Sequence, residues 1–357
     1  MLKRVRGRGA VALALALGLA VTAGAGAASA TPGGGTPRAL EVVRTISDDY
    51  ALPLQFAVQD RTILVADSGP GNLYRVGRDA PVRTGPGITG VAFGDGGYAY
   101  TRGNPEQRLG QLVIVKKSGR TVVADLAKFE RRNNPDSGNR YGVKGRVSDA
   151  CRTQLEAGLP VPAKYTGQVD SNPYAVAYLG HGSWAVADAG ANAILKVDHR
   201  GRISVIAVLP PQPATIDAGL AAAAKAPACA GATYRFEPVP TDVETHRGHL
   251  LVTTLPGGPE GPGAGARGSV YAVGWGWSER VATGFAGATN LAVTKKGTVY
   301  VAELGAGRVS KVHHGGPKPV LTLPGAVGLE WAHGRLYAST APVLTGGSGP
   351  GTILELG

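Results

Sequence analysis

Ala288-Thr289-Asn290-Leu291-Ala292-Val293, a Lys295-Lys296-Gly297 turn, Val299-Tyr300-Val301-Ala302-Glu303, Arg308-Val309-Ser310-Lys311-Val312 and Pro319-Val320-Leu321-Thr322-Leu323 read in succession as four short strands. In each run, β-branched or aromatic residues alternate with small or polar ones, and glycine or charged pairs break the runs. The same order recurs from Asn172-Pro173-Tyr174 through Trp184–Asp188 and Ile194–Asp198 to Ile203–Val208, and further copies start at Leu54, Thr89, Thr241 and Val327. Marked by a small residue in the second strand, the six copies are anchored at Ala66, Thr101, Ala187, Thr253, Ala302 and Ser339, spaced 35, 86, 66, 49 and 37 residues apart. The basic period is roughly 35 to 50 residues, and two junctions carry insertions, 127–170 and 211–238.

A four-stranded antiparallel sheet of about 40 residues cannot cover both of its faces, so such units stack, and radial closure leaves only short, protected edges. The repeats therefore predict an all-β chain folded as a single six-bladed β-propeller over residues 40–357. The last copy, ending in Thr352-Ile353-Leu354-Glu355-Leu356, lacks a fourth strand, whereas Leu40–Ile46 is a strand with no blade of its own. This N-terminal strand is expected to form the outer edge of the final blade and close the ring, because an open edge invites aggregation. A five- or seven-bladed count is the competing reading and turns on the irregular stretch from Ile88 to Leu126.

Composition agrees. The 357 residues include 55 Gly and 25 Pro, with 17% charged and 43% apolar, which excludes a coiled coil, a helical bundle and a disordered chain. Lys3, Arg4, Arg6 and Arg8 precede an apolar stretch from Ala10 to Ala23, followed by Ala28-Ser29-Ala30 as a small-x-small cleavage site. Residues 1–30 thus read as a signal peptide for general secretion, 31–39 as a disordered lead-in, and the mature protein as secreted or extracellular. Losing four basic residues takes the net charge from +12 to +8. Cys151 and Cys229 have no metal-ligand spacing, and an oxidising compartment favours a disulfide between them, with two independent buried thiols as the alternative. Closing that loop contributes roughly 4 kcal/mol in the chain-entropy model.

The up-and-down order within a blade sorts residues onto two faces. Turns between strands one and two and between strands three and four share the bottom. First-strand starts and second-strand ends lie at the top, with both insertions and both cysteines. Gln55, Gly90, Tyr174, Asp242, Asn290 and Gly328 are expected to ring the top mouth of the central channel, with Asp67, Asp188 and Glu303 farther out at second-strand ends. Gln55, Tyr174, Asp242 and Asn290 are the candidate ligand-binding residues, since a polar mouth with one or two carboxylates suits a polar ligand or a divalent cation such as Ca2+. The competing reading is structural, because Asp and Asn at strand ends accept backbone N–H groups and order turns.

All seven histidines, His181, His199, His246, His249, His313, His314 and His333, fall in bottom turns. That placement disfavours a Ser-His-Asp triad or a histidine zinc site at the mouth. Arg61, Lys116, Lys117, Arg120, Arg200, Arg202, Arg247, Lys295, Lys296 and Arg335 map to the same face. Their charge suits an anionic cell-wall polymer or a membrane surface, or a solubility coat. No aromatic interleaving marks these turns, so nucleic acid is not an expected partner.

Four segments carry a further likeness: Ala124–Glu130 leading into Asn133-Asn134-Pro135-Asp136, then Asp170-Ser171-Asn172-Pro173-Tyr174, then Val186-Ala187-Asp188-Ala189-Gly190-Ala191-Asn192, then Pro240-Thr241-Asp242-Val243. In this order they resemble the ScyD/ScyE family of exported, NHL-repeat-like propellers, and the resemblance covers nearly all of the mature chain. It implies a secreted or periplasmic six-bladed propeller; the best-known relatives are encoded beside genes for the sunscreen pigment scytonemin. It implies no catalytic residue, and the segment from about Asn139 to Val169 is longer than the family's usual link.

Two function classes follow. The favoured one is a non-enzymatic binding protein, with no cofactor expected, whose top face is roofed by disulfide-linked insertions and takes a small molecule, a glycan or a protein. The alternative is a metal-dependent hydrolase or lyase of the lactonase-like propeller type, with Gln55, Asp242, Asn290 and Glu330 around a divalent cation. Against it, the ring offers one carboxylate among six positions.

Overall fold

The alternating runs become strands. The computed structural model describes residues 40–357 apart from Pro160 and Pro262, and among them holds seven four-stranded antiparallel sheets and three short α-helices. Five sheets run in chain order from first strands Pro53–Gln59, Ile88–Gly94, Pro173–Gly180, Pro238–His246 and Ala288–Val293. The sixth starts at Ala326–Ala332 and adds Arg335–Thr340, Gly351–Leu356 and, as its outer strand, Val42–Tyr50, with Thr45 opposite Leu354. First strands of successive sheets pack on one another, and that of the sixth packs on that of the first. The expected signal peptide and lead-in lie outside the described residues. No helix among the described residues is long and apolar enough to cross a membrane.

The hairpins explain the placement of three of the histidines, His181, His314 and His333. Asp95-Gly96, His181-Gly182, Arg247-Gly248, His314-Gly315 and His333-Gly334 each have both residues at positive φ, between 48° and 82°. Two left-handed residues in succession make the turn whose twist matches the flanking strands. Asp and His tolerate the first position better than most residues, and Gly takes the second.

Each first strand carries a bulge near its start, between Pro53 and Gln55, Ile88 and Val91, Pro173 and Ala175, Pro240 and Asp242, Ala288 and Asn290, and Ala326 and Gly328. The register corrects one expected ring position. Gln55, Asp242, Asn290 and Gly328 stand opposite the second-strand anchors, but in the third sheet Ala175 does so and Tyr174 is the bulged residue. All six first strands share this bulge, so the offset lies in the alignment of the third copy: Pro173 corresponds to Pro53, which brings Ala175 rather than Tyr174 level with Gln55.

Small residues are required where sheets touch. A Cβ on Gly90 would lie 2.7 Å from the Tyr174 carbonyl oxygen and 2.8 Å from the Ala175 Cα. Gly90→Ala is therefore expected to destabilise the chain by about 1–3 kcal/mol, read from the midpoint of urea unfolding; an unchanged midpoint would contradict this packing.

The insertions are not the loops that their composition suggests. Arg140–Val143 and Lys164–Thr166 from the first pair with Gln212–Thr215 and Thr233–Phe236 from the second, through Gly142 opposite Arg235. Helices α1 (Leu126–Asn133), α2 (Asp149–Gly158) and α3 (Ala218–Ala223) each begin at a side-chain cap, Asp125, Ser148 and Asp217. This unit has its own apolar core, including Leu155, Ile216, Leu220 and Phe236, built round a Cys151–Cys229 disulfide with 4.7 Å between Cα atoms. Neither half could bury an apolar face alone, which is why both are needed to form it.

Candidate functional site

The expected channel mouth is closed by its own side chains. Gln55 Nε2, from the first sheet, donates to the Thr241 carbonyl at 3.1 Å and to Asp242 Oδ1 at 3.3 Å, both in the fourth sheet. Asp242 Oδ2 accepts from Leu291 N at 3.0 Å, and Asn290 Oδ1 accepts from Leu329 N at 2.7 Å. All three residues are buried. Gln55, Asp242 and Asn290 thus do come together, but their polar atoms tie one sheet to another, and they separate two cavities.

Below them a cavity of about 270 Å³ is lined by Asp242, Glu244 and Glu330 among Ala57, Ala92 and Ala177. Burial pushes the Asp242 carboxyl up to about 7. Burial and the neighbouring Asp242 push Glu330 up to about 8. Glu244 rises well above its ordinary value through burial, Glu330 and Asp242. In apolar surroundings the group neutralises rather than keep an unpaired charge. Glu244 escaped the sequence reading, although alternation could have found it: two residues beyond each ring position the second layer reads Ala57, Ala92, Ala177, Glu244, Ala292, Glu330.

The second-strand carboxylates have structural partners. Asp67 accepts from the Leu52 and Ala51 N–H groups at 2.6 and 3.1 Å. Asp188 accepts from Ser171 Oγ, Asn172 N and Ala191 N. Glu303 accepts from Ala286 N at 2.8 Å, from Ser310 Oγ and from Arg308. All three are buried, so the ligand role expected of Asp67, Asp188 and Glu303 gives way to anchoring the preceding loop.

Above the closed mouth lies a second cavity, of about 160 Å³. Its roof is Tyr165 and Tyr234 of the insertion sheet, its floor Tyr174, and Asp170 and Glu237 stand in its wall. Tyr174 therefore remains a candidate ligand-binding residue, in this pocket rather than in the ring. Among the described residues no Lys, Arg or His lines the space. Burial and the mutual repulsion of Asp170 and Glu237 bring Asp170 up to about 7, and burial with Asp136 beside it brings Glu237 to about the same value. Burial raises all three tyrosines, Tyr234 to about 12. Sequence reasoning missed Tyr165, Tyr234, Asp170 and Glu237, for the insertions have no repeat to place them; the paired cysteines were the one signal.

On the bottom face six histidines are exposed and His246 is half-buried. Part of the basic charge is paired, Arg202 with Asp198 and Arg335 with Glu355, both at 2.5 Å. The expectation that no aromatic marks these turns needs correction. Trp275, 62% exposed, has Lys196 Nζ 5.4 Å from its ring centre, and Trp277 packs edge-on against His249.

No family model and no curated protein matches the chain. Solved structures do. A PQQ-bound aldose sugar dehydrogenase from Streptomyces coelicolor is 14% identical, covering 90% of this chain and 99% of that one at a TM-score of 0.52. A gluconolactonase from Xanthomonas campestris is 11% identical, covering 92% and 99% at a TM-score of 0.50. A protein of unknown function from Bacteroides thetaiotaomicron is 10% identical, covering 89% and 76% at a TM-score of 0.51. These likenesses establish an all-β, propeller-like fold and nothing about activity.

Proposed function

We propose that the chain is an exported six-bladed propeller of the ScyD/ScyE type that binds a small polar molecule, best matched by a single sugar unit of a glycan, in the pocket beneath the disulfide-clamped roof. Six blades closed by the N-terminal strand is the reading supported by the contacts between successive first strands and by the pairing of Val42–Tyr50 with Gly351–Leu356. The seventh sheet then belongs to the roof. Export is supported by the leader-like residues 1–30 and by the disulfide.

The observation that carries the binding reading is the pocket lining: three tyrosines, two carboxylates and, among the described residues, no basic side chain. A tyrosine offers an apolar ring with a hydroxyl at its rim. A carboxyl near neutrality both donates to and accepts from ligand hydroxyls. At about 160 Å³ the space is smaller than the roughly 300 Å³ of a drug-sized site, which suits one ring better than a peptide. In ligand-observed NMR with a panel of free monosaccharides, Tyr165→Ala and Glu237→Gln are expected to weaken binding about 10-fold or more. No binding by the wild type, or equal binding by the variants, would sink the proposal.

Contact with an anionic wall polymer through the bottom turns is a separate, electrostatic element. Its expected signature is loss of polymer co-sedimentation between low and high salt, and salt-independent binding would remove it. The hydrolase or lyase reading keeps one supporting observation, the Asp242, Glu244 and Glu330 carboxylates in one cavity. The polar atoms of Gln55, Asp242 and Asn290 are already engaged in bonds between sheets, so the binding reading is favoured.

A further inference from the structure

Behind the pocket wall lies a nest of oxygen atoms of which the binding reading uses only Asp170. It gathers Glu130 and Asn134 from α1 and its C-terminal cap, Asp136 beyond it, Asp170 at the end of the first insertion, and Asp188 and Asn192 from the third sheet. Glu130, Asp136 and Asn192 are each 1% exposed and Asp188 is fully buried. The hydrogen bonds leave a one-sided remainder. Ser171 N serves Glu130 Oε2; Tyr141 Oη and Asn192 Nδ2 serve Asp136 Oδ2 at 2.9 and 3.0 Å; Asn134 Nδ2 donates to the Gly167 carbonyl at 3.0 Å. Glu130 Oε1, Asn134 Oδ1, Asp136 Oδ1, Asp170 Oδ1 and Asn192 Oδ1 are all buried without a partner.

Every orphan in the nest is an acceptor, and no unmatched donor lies among them. Buried acceptors without donors cost roughly 1–3 kcal/mol each; burial favours protons on the carboxyls, but the Asn134 and Asn192 carbonyls can take none, so the group as a whole suits a cation. No protein cation supplies it: the charges that act on Glu130, Asp136, Asp170 and Glu237 are one another and Asp188. The members are contiguous: Asp136 packs against Gly167, the Gly167 carbonyl accepts from Asn134, and the other oxygen of Asp136 accepts from Asn192. Asp170 also lines the pocket, which gives an entry path from solvent.

We propose that this nest binds one hard divalent cation, Ca2+ by its all-oxygen donor set, through Asn134, Asp136, Asp170 and Asn192, with Glu130 and Asp188 supplying charge. Two of the four donors are amide carbonyls, so the set holds fewer than three acidic groups, in keeping with the absence of such a trio at ligand spacing among the described residues. The ion would fasten the roof to the third sheet, because Asp136 and Tyr141 belong to the roof and Asn192 to the sheet. The site is distinct from the channel position considered in the sequence.

The test uses the purified mature protein and needs no sugar ligand. Elemental analysis after dialysis is expected to find about one Ca2+ per chain. EDTA should lower the melting temperature by about 5 °C, with recovery on adding excess Ca2+. Tb3+ should show tyrosine-sensitised luminescence, because Tyr141 bonds directly to Asp136, and Ca2+ should quench it. Asp136→Asn and Asp170→Asn should each weaken Tb3+ binding at least 10-fold, while Glu330→Gln, in the channel, should leave it unchanged. Asp170→Asn covers the case in which Asp136→Asn fails to fold. No bound metal together with a melting point indifferent to EDTA and Ca2+ would overturn the proposal, as would luminescence lost in Glu330→Gln and retained in the nest variants.

Discussion

Replacing Cys151 and Cys229 together by serine is expected to lower the stability of the mature protein by about 4 kcal/mol and its melting temperature by about 10 °C. The bridge closes a loop between residues 78 apart, and that loop contains the whole third sheet as well as parts of both insertions. The variant should also lose monosaccharide binding, because Tyr165 and Tyr234 are carried over the pocket by the insertion sheet. Limited proteolysis should cut first between residues 144 and 163, next to the apolar core that loses its centre. Unchanged stability and binding would mean that the roof is held by its strand pairing alone.

Neutralising the channel has the second large effect, and it depends on pH. In the folded state Asp242 sits at about 7, Glu330 at about 8 and Glu244 well above its ordinary value. The unfolded chain releases these protons near pH 4 to 4.5. A carboxyl whose folded value is raised contributes stability that is fully present below the unfolded value and is lost as pH rises through the folded one. Wild-type stability should therefore fall between about pH 5 and pH 8.5. Glu244→Gln with Glu330→Gln should match the wild type at pH 5 and exceed it at pH 8.5 by on the order of 3 kcal/mol. The nest and pocket carboxylates titrate alike in both proteins, so the difference isolates the channel. Parallel pH profiles of wild type and variant would show that Glu244 and Glu330 stay charged and solvated.

What could be read beforehand followed the repeat. Gln55, Asp242 and Asn290 were placed together because each occupies the same point of a recurring four-strand sentence, and the N-terminal strand was matched to the final copy because that copy lacked one. Tyr174 stands one position off the others because the third copy aligns by Pro173 with Pro53, which the surrounding phrase does not reveal; the bulge itself is common to all six first strands. Glu244 and Glu330 were legible in principle as the two breaks in a layer of alanines. The roof was not. Gly142 pairs with Arg235 across an intervening sheet, and neither insertion has a periodicity that betrays its partner. The strand-end carboxylates show the opposite difficulty: Asp67, Asp188 and Glu303 have the residue types of a binding site, and only the neighbouring N–H groups reveal that they order loops.

Hydrogen–deuterium exchange of the mature protein, with and without the tightest-binding monosaccharide of the panel, tests the central claim most directly. Peptides covering 159–174 and 233–239, which carry Tyr165, Asp170, Tyr174, Tyr234 and Glu237, are expected to exchange more slowly with the sugar bound, with 242–246 and 328–332 unchanged. Protection confined to 242–246 and 328–332 would place the ligand in the carboxylate channel and contradict that claim.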